Sequence, residues 1–298
     1  MTWLIFALLG PIFWGLANVM DSALRRKFVQ NDAALTWMVA ISRLPFFILF
    51  FALSGFKAPG LADLGWMILG GALWTLPFFF YYRALKLEDP SRIALLEQTI
   101  PLFTLLIAFF ALGERLTANQ GIAFGLLILA GILASLKQTL GRWRLSPAFA
   151  LILLATLLWA ASDVIFKKFE PSFAGFLGAF GFYFLGSSLT ALAMLAMPRG
   201  KHILDHFKAL SGKAWASVAA TEIGGILGSL SFAYALTLGK ASLTSVMIGI
   251  QPLAAFLIGL GLAPLMKEIS HEDIGKKALL LKGTSFALVV VGLAILEK

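Results

Sequence analysis

Four ionisable residues lie well inside long apolar stretches of this chain: Arg43, Glu97, Asp163 and Glu222, with Asp21 near the end of another stretch. In lipid such a charge costs roughly 2.5–3.5 kcal/mol at mid-depth, so these side chains are expected to face a protein interior or a water-filled path. Arg43 cannot shed its proton and needs a carboxylate or an anionic ligand. Glu97 and Glu222 are the partners on offer. Arg43 therefore either holds a substrate carboxylate, or pairs with Glu97 in one state, or forms a permanent structural ion pair. Glu97 is also a candidate proton carrier, with Asp163 and Glu222 as rivals, because a carboxyl in a dry site is stable as the neutral acid.

The neighbours of these residues suggest a binding wall. Glu97 and Gln98 stand one turn before Pro101, and Gln251 stands directly before Pro252. A proline frees a backbone carbonyl, which can line a cavity if something else satisfies it. Trp74, Phe78, Tyr81 and Tyr82 recur at helical spacing, a stripe suited to apolar or aromatic solutes and to cations held over ring faces. For the two tyrosines a place in an interfacial aromatic belt is the competing reading. Trp14 with Asn18, and Trp159 with Asp163, each share a helix face at i, i+4. Asn18, Asp163, Pro101 and Pro252 are the candidate gating positions; simple interhelical hydrogen bonds would account for the first two equally well.

What must position these groups is a set of ten apolar stretches. A helix needs about 20 residues to cross a hydrocarbon core of about 30 Å. The stretches are Trp3–Ser22, Ala34–Ser54, Leu64–Ala84, Arg92–Ala111, Asn119–Leu136, Ala148–Phe166, Phe173–Met197, Ala214–Leu236, Ser242–Ala263 and Leu279–Leu296. The composition agrees, with 60% hydrophobic and 13% charged residues in 298, against about 25% charged in soluble proteins. The net charge of +9 sits in loops, where topology and lipid headgroups explain it better than nucleic acid does. Most of the Lys and Arg fall between odd and following even stretches, for example Arg25, Arg26, Lys27, Arg142, Arg144, Lys201 and Lys208. The positive-inside rule then puts both termini on the outer side. The first stretch lacks a basic leader and a small-residue cleavage site, so it reads as a retained helix.

The first five stretches are echoed by the last five. Trp14-Gly-Leu-Ala-Asn18 resembles Trp159-Ala-Ala-Ser-Asp163, and Ala84-Leu85 to Pro101 keeps the same interval as Ala235-Leu236 to Pro252. Five crossings per copy is odd, so the copies would insert in opposite senses, as inverted transporter repeats do. The segment Leu112-Gly113-Glu114-Arg115-Leu116-Thr117, followed by Gln120-Gly121 and Leu129-Ala130-Gly131-Ile132, resembles the hallmark of the EamA-type branch of the drug/metabolite transporter superfamily, and Arg83-Ala84-Leu85 with Pro101 fits the same pattern. The second copy departs from it, reading Pro264-Leu265 where the first has Gly113-Glu114, with Glu268 displaced. The resemblance implies export of small organic solutes, many of them amino acids and related metabolites.

The expected fold is thus an all-α integral membrane protein of ten transmembrane helices, built as two inverted five-helix repeats over residues 1–141 and 142–298. The expected function is a secondary transporter working by alternating access in a bacterial plasma membrane. A lipid or lipid-linked solute flippase and a drug efflux carrier are the alternatives. The expected partners are a small-molecule substrate, the bilayer and protons as coupling ion, with the monomer as the working unit and no cofactor or nucleic acid. The candidate substrate-binding residues are Arg43, Trp74, Phe78, Tyr81, Tyr82, Glu97, Gln98, Trp159, Asp163, Glu222 and Gln251. An enzyme is disfavoured: cysteine is absent, His202, His206 and His271 lie in loops, and there is no phosphate loop or nucleophile elbow. The His202/His206 spacing alone is a poor argument for a metal. Gly121-x-x-x-Gly125 and Gly224-x-x-x-Gly228 permit close helix approach, with internal packing preferred to a dimer face in the first.

Overall fold

A computed structural model describes residues 2–88, 92–93, 96–139, 142–198, 200–208, 210–262 and 275–296. Where no water can reach, backbone groups must be satisfied within the chain, and helix does this nearly throughout. The helices are α1 (Thr2–Lys27), α2 (Asp32–Ile41), α3 (Leu44–Leu53), α4 (Leu61–Thr75), α5 (Pro77–Ala84), α6 (Ile100–Leu112), α7 (Ala118–Ser135), α8 (Ala148–Phe169), α9 (Gly175–Ala196), α10 (Lys201–Lys208), α11 (Gly212–Leu238), α12 (Ala241–Val246), α13 (Gln251–Leu262) and α14 (Lys276–Leu296). Among the described residues, seven helical segments, not ten, are long and apolar enough to cross a membrane; Glu97–Leu112, Ala118–Ala130 and Leu279–Gly292 are shorter apolar helices. Large apolar side chains such as Ile48, Leu61, Phe110 and Leu280 point outward, as lipid contact requires.

The all-α expectation needs one amendment. An antiparallel hairpin, β1 (Leu136–Thr139) and β2 (Arg142–Leu145), pairs Leu136 with Leu145 and Thr139 with Arg142. This stretch carries Lys137, Arg142 and Arg144, so it cannot extend an apolar helix. The expected boundary between the halves falls in its turn, where residues 140–141 lie outside the described residues, as do Pro264, Leu265, Glu268 and His271.

Four of the apolar stretches are interrupted helices, and proline is the cause each time. Pro45 and Pro77 stand at the starts of α3 and α5. Pro101 and Pro252 follow single 3-10 turns, Glu97–Thr99 and Met247–Ile250, that lead into α6 and α13. Each ring removes a donor and crowds the carbonyl four residues earlier. Arg43 consequently sits in the non-helical joint between α2 and α3, not on a continuous helix.

The packing joins the two halves of the chain. α1 lies along α11 and α13, α9 against α2, α3 and α4, α8 against α4, α5 and α6, and α7 against α14. Phe46, Phe47, Phe50 and Phe51 of α3 interlock with Phe180, Phe182 and Phe184 of α9. The two GxxxG motifs diverge. Gly224 and Gly228 pack on α1, a Cβ at Gly228 falling 2.5 Å from the Trp14 ring. A Cβ at Gly121 or Gly125 would meet nothing within 4 Å among the described residues, which goes against the expected internal packing there; α7 packs on α14. The tightest crossing is α4 on α9, where a Cβ at Gly71 would lie 1.9 Å from the Tyr183 carbonyl oxygen. Gly71→Ala is expected to lower stability by roughly 1–3 kcal/mol through this backbone clash, whereas Gly125→Ala should leave it unchanged. Thermal unfolding of the two purified variants checks the contrast.

Candidate functional site

The interrupted helices surround one cavity of about 700 Å³, counted out to its mouth. From the first half of the chain its wall takes Trp14, Ala17, Asn18 and Asp21 of α1, Val39 of α2, Arg43 at the α2–α3 joint, Trp74 of α4, Phe78, Tyr81 and Tyr82 of α5, Glu97 and Ile100. From the second half it takes Trp159 and Asp163 of α8, Thr221, Glu222 and Gly225 of α11, Ile248 and Gln251. Ten of the eleven candidate binding residues line it. Gln98 does not: its Nε2 turns to the Ile248 carbonyl at 3.0 Å. Pro101 and Pro252 are buried behind the wall, while Asn18 and Asp163 face the same space.

Two charged groups organise the wall. Arg43, 1% exposed, donates through Nη1 to Glu222 Oε2 and to the Ser42 hydroxyl. The Ser42 hydroxyl itself reaches Glu222 Oε2 at 2.6 Å. The guanidinium lies 5.1 Å from the Trp74 ring centroid and 5.8 Å from that of Phe184. Of the partners open to Arg43, Glu222 is thus the one engaged. Glu97, 4% exposed, instead accepts from Gln251 Nε2 at 2.7 Å and from Asn18 Nδ2 at 3.5 Å. Tyr81 donates to Asn18 Oδ1 at 2.8 Å and Tyr82 to Asp21 Oδ1 at 3.3 Å. Both tyrosines are buried, which overturns the interfacial-belt reading for them. Trp159 donates from its indole to the Trp74 carbonyl at 2.9 Å. Asp163 makes no hydrogen bond or ion pair among the described residues.

Several wall residues were not on the candidate roll. Trp14 had a signal, its i, i+4 pairing with Asn18, and so did Asp21, an acid in an apolar run. Thr221 adjoins Glu222, but a threonine in an apolar helix has many reasons to be there. Ala17, Val39, Ile100, Gly225 and Ile248 carry no signal that separates them from packing residues.

At one end of the bundle two charges hold helix termini. Glu114, in the α6–α7 loop, accepts from the backbone N–H of Ala241 at 2.9 Å and of Ser242 at 3.1 Å, and from the Ser242 hydroxyl at 2.5 Å. It therefore caps α12, with the favourable sense of the helix dipole. Lys167 donates to the carbonyls of Leu236, at 2.7 Å, and Gly239 at the end of α11. His202 faces Asp205 at 3.4 Å in α10, and Asp205 also takes Lys208 at 2.6 Å. The Asp205 carboxyl is held below its usual range by that lysine.

Breaking a buried pair by removing one partner strands the other charge, at a cost of roughly 3–5 kcal/mol. Arg43→Ala is therefore expected to destabilise the protein as well as the site, and Arg43→Met combined with Glu222→Gln to recover most of the loss. Thermal unfolding of the single and double variants tests this; equal stability of wild type and Arg43→Ala would sink it.

None of the curated proteins compared matches the chain. A solved structure described as "Crystal structure of protein" is similar over 98% of this chain and 94% of its own, with a TM-score of 0.65 and 19% identity, a likeness of fold. The EamA-like transporter family matches residues 1–136, the half that contains Arg43, Glu97 and the Glu114 loop. Over residues 1–136 the chain is accordingly similar to the EamA-like transporter family, and its long apolar helices agree with an integral membrane protein.

Proposed function

We propose that the protein is a secondary carrier that exports small organic solutes, amino acids and related metabolites first among them, by alternating access. The reading is of ten crossings in two inverted five-helix repeats, residues 1–141 and 142–298. Both termini lie outside a bacterial plasma membrane, and the monomer is the working unit. The observation that carries it is the cavity: a charged, aromatic-walled space of about 700 Å³ drawn from both halves of the chain, between helices that are otherwise apolar.

The two 3-10 turns support the repeat. Each is followed within a few residues by proline, and they brace one another, Gln98 reaching the Ile248 carbonyl and Gln251 the Glu97 carboxylate. In the proposed orientation the Glu114 and Lys167 contacts lie at the outer end, so this conformation is closed outward. The binding residues in this reading are those of the wall, with Gln98 as a brace between the repeats. Glu97 is the proposed proton carrier, since it touches both halves through neutral donors and has no basic partner among the described residues.

Reconstituted flux tests the carrier. Glu97→Gln keeps side-chain volume and an acceptor oxygen, so it should fold normally yet cut proton-driven flux by at least about tenfold. Wild-type flux in that variant would remove Glu97 from the mechanism, and lipid scrambling without solute flux would favour a flippase. The chain has no cysteine, which makes topology directly measurable. A membrane-impermeant maleimide on intact cells should label Lys57→Cys and spare Lys208→Cys; the reverse pattern would refute the orientation.

A further inference from the structure

The charge inventory of the cavity is unbalanced. Among the described residues, Asp21, Glu97, Asp163 and Glu222 face it with carboxyl groups, and Arg43 alone with a fixed positive charge. Arg43 is already committed to Glu222 and is stacked between Trp74 and Phe184. An anionic cargo would meet four carboxyls and would have to displace Glu222 to reach the one guanidinium. A cationic cargo meets acceptors that are already waiting. Glu222 Oε1 and Thr221 Oγ1 are buried without a hydrogen-bond partner among the described residues, in residues only 7% and 3% exposed, and both residues line the cavity. Orphaned buried polar atoms call for an explanation, and a ligand that donates to them is one.

Asp163 supplies the charge. It lies one helical turn beyond Trp159 on α8, and both line the cavity. Phe78 stands between the other two rings, its centroid 5.0 Å from that of Trp74 and 5.4 Å from that of Trp159, edge to face in both cases. Ring faces near a carboxyl that has no partner among the described residues attract a cation through the ring quadrupole and the counter-charge together.

We propose, resting on the carrier reading above, that the protein recognises its cargo through an ammonium group, that Asp163 is the counter-ion of that group, and that Glu222 Oε1 and Thr221 accept from it. A carboxylate on the cargo is then tolerated but not required.

Three probes of one shape separate the possibilities: phenethylamine, phenylalanine and 3-phenylpropionate. Binding to the purified protein in nanodiscs is read by tryptophan fluorescence and thermal shift, and flux by proteoliposome uptake. The amine is expected to bind as well as the amino acid, and the acid at least about tenfold more weakly. Asp163→Asn is expected to weaken the amine at least about tenfold and Asp163→Glu to restore much of it. Asp163→Asn gives up no partner in the fold, so its unliganded melting temperature should match wild type. The proposal is overturned if the acid binds as tightly as the amine, or if the amino acid binds tenfold tighter than the amine. It is equally overturned if none of the three binds, or if Asp163→Asn leaves amine affinity unchanged. Amine binding without flux would overturn the carrier reading and leave the recognition standing.

Discussion

A backbone carbonyl without a donor is expensive in a low-dielectric interior, and the helices of this bundle create such carbonyls on purpose-built joints. Pro45, Pro77, Pro101 and Pro252 each withdraw a donor from the carbonyl four residues earlier. The Ile248 carbonyl, which Pro252 cannot serve, is met by the Gln251 N–H of the 3-10 turn and by the Gln98 side chain across the cavity. The Glu97 carbonyl, which Pro101 cannot serve, is met by the Ile100 N–H. Tightening to a 3-10 turn thus repairs the ladder locally. Glu97 in one turn and Gln251 just after the other face the cavity, and Gln98 reaches from the first turn to the second behind the wall. The site exists because the joints do.

Those joints place Arg43 and Glu97 of one half against groups of the other. Arg43 and Ser42 belong to the first half and Glu222 to the second; Glu97 belongs to the first and Gln251 to the second. Trp159 reaches the Trp74 carbonyl in the same sense. The cavity is therefore a seam. Moving one half against the other would leave buried charges and amides unpaired, which the interior resists by several kcal/mol for an ion pair. A cargo that presents its own hydrogen-bonding groups at the seam can replace those contacts, and this is the physical sense in which binding and movement become coupled.

Much of the wall could be read in the sequence because the bilayer taxes charge. Arg43, Glu97, Asp163 and Glu222 stood out for that reason alone, and all four line one space. The choice of partner for Arg43 could not be read, since Glu97 and Glu222 differ only in where the fold carries them. Gln98 illustrates the same limit at closer range. It adjoins Glu97 in sequence, yet the 3-10 turn sends the two side chains to different tasks. Pro45 and Pro77 were visible as letters, but that their joints would expose Arg43 and turn Tyr81 and Tyr82 inward depends on packing against α8 and α9. The twin GxxxG motifs show why a local pattern is not a contact. Gly224 and Gly228 have α1 laid over them, whereas a Cβ at Gly121 or Gly125 would meet nothing within 4 Å among the described residues.

The two ends of the seam differ in what release requires. At the Glu114 end the contacts are a carboxylate on the N–H groups of α12 and an ammonium on the last carbonyls of α11. Helix termini carry orphan donors and acceptors that water serves nearly as well as side chains do. Glu114 and Lys167 are both half-buried, so water can take over part of what they serve, and letting go costs less than breaking a fully buried pair. The Arg43–Glu222 pair has no such exchange open to it, because it is buried and its replacement partner has to be carried in. In the carrier proposed above, opening at the capped end would therefore cost less than separating the pairs at the centre, which only a cargo with its own hydrogen-bonding groups would replace.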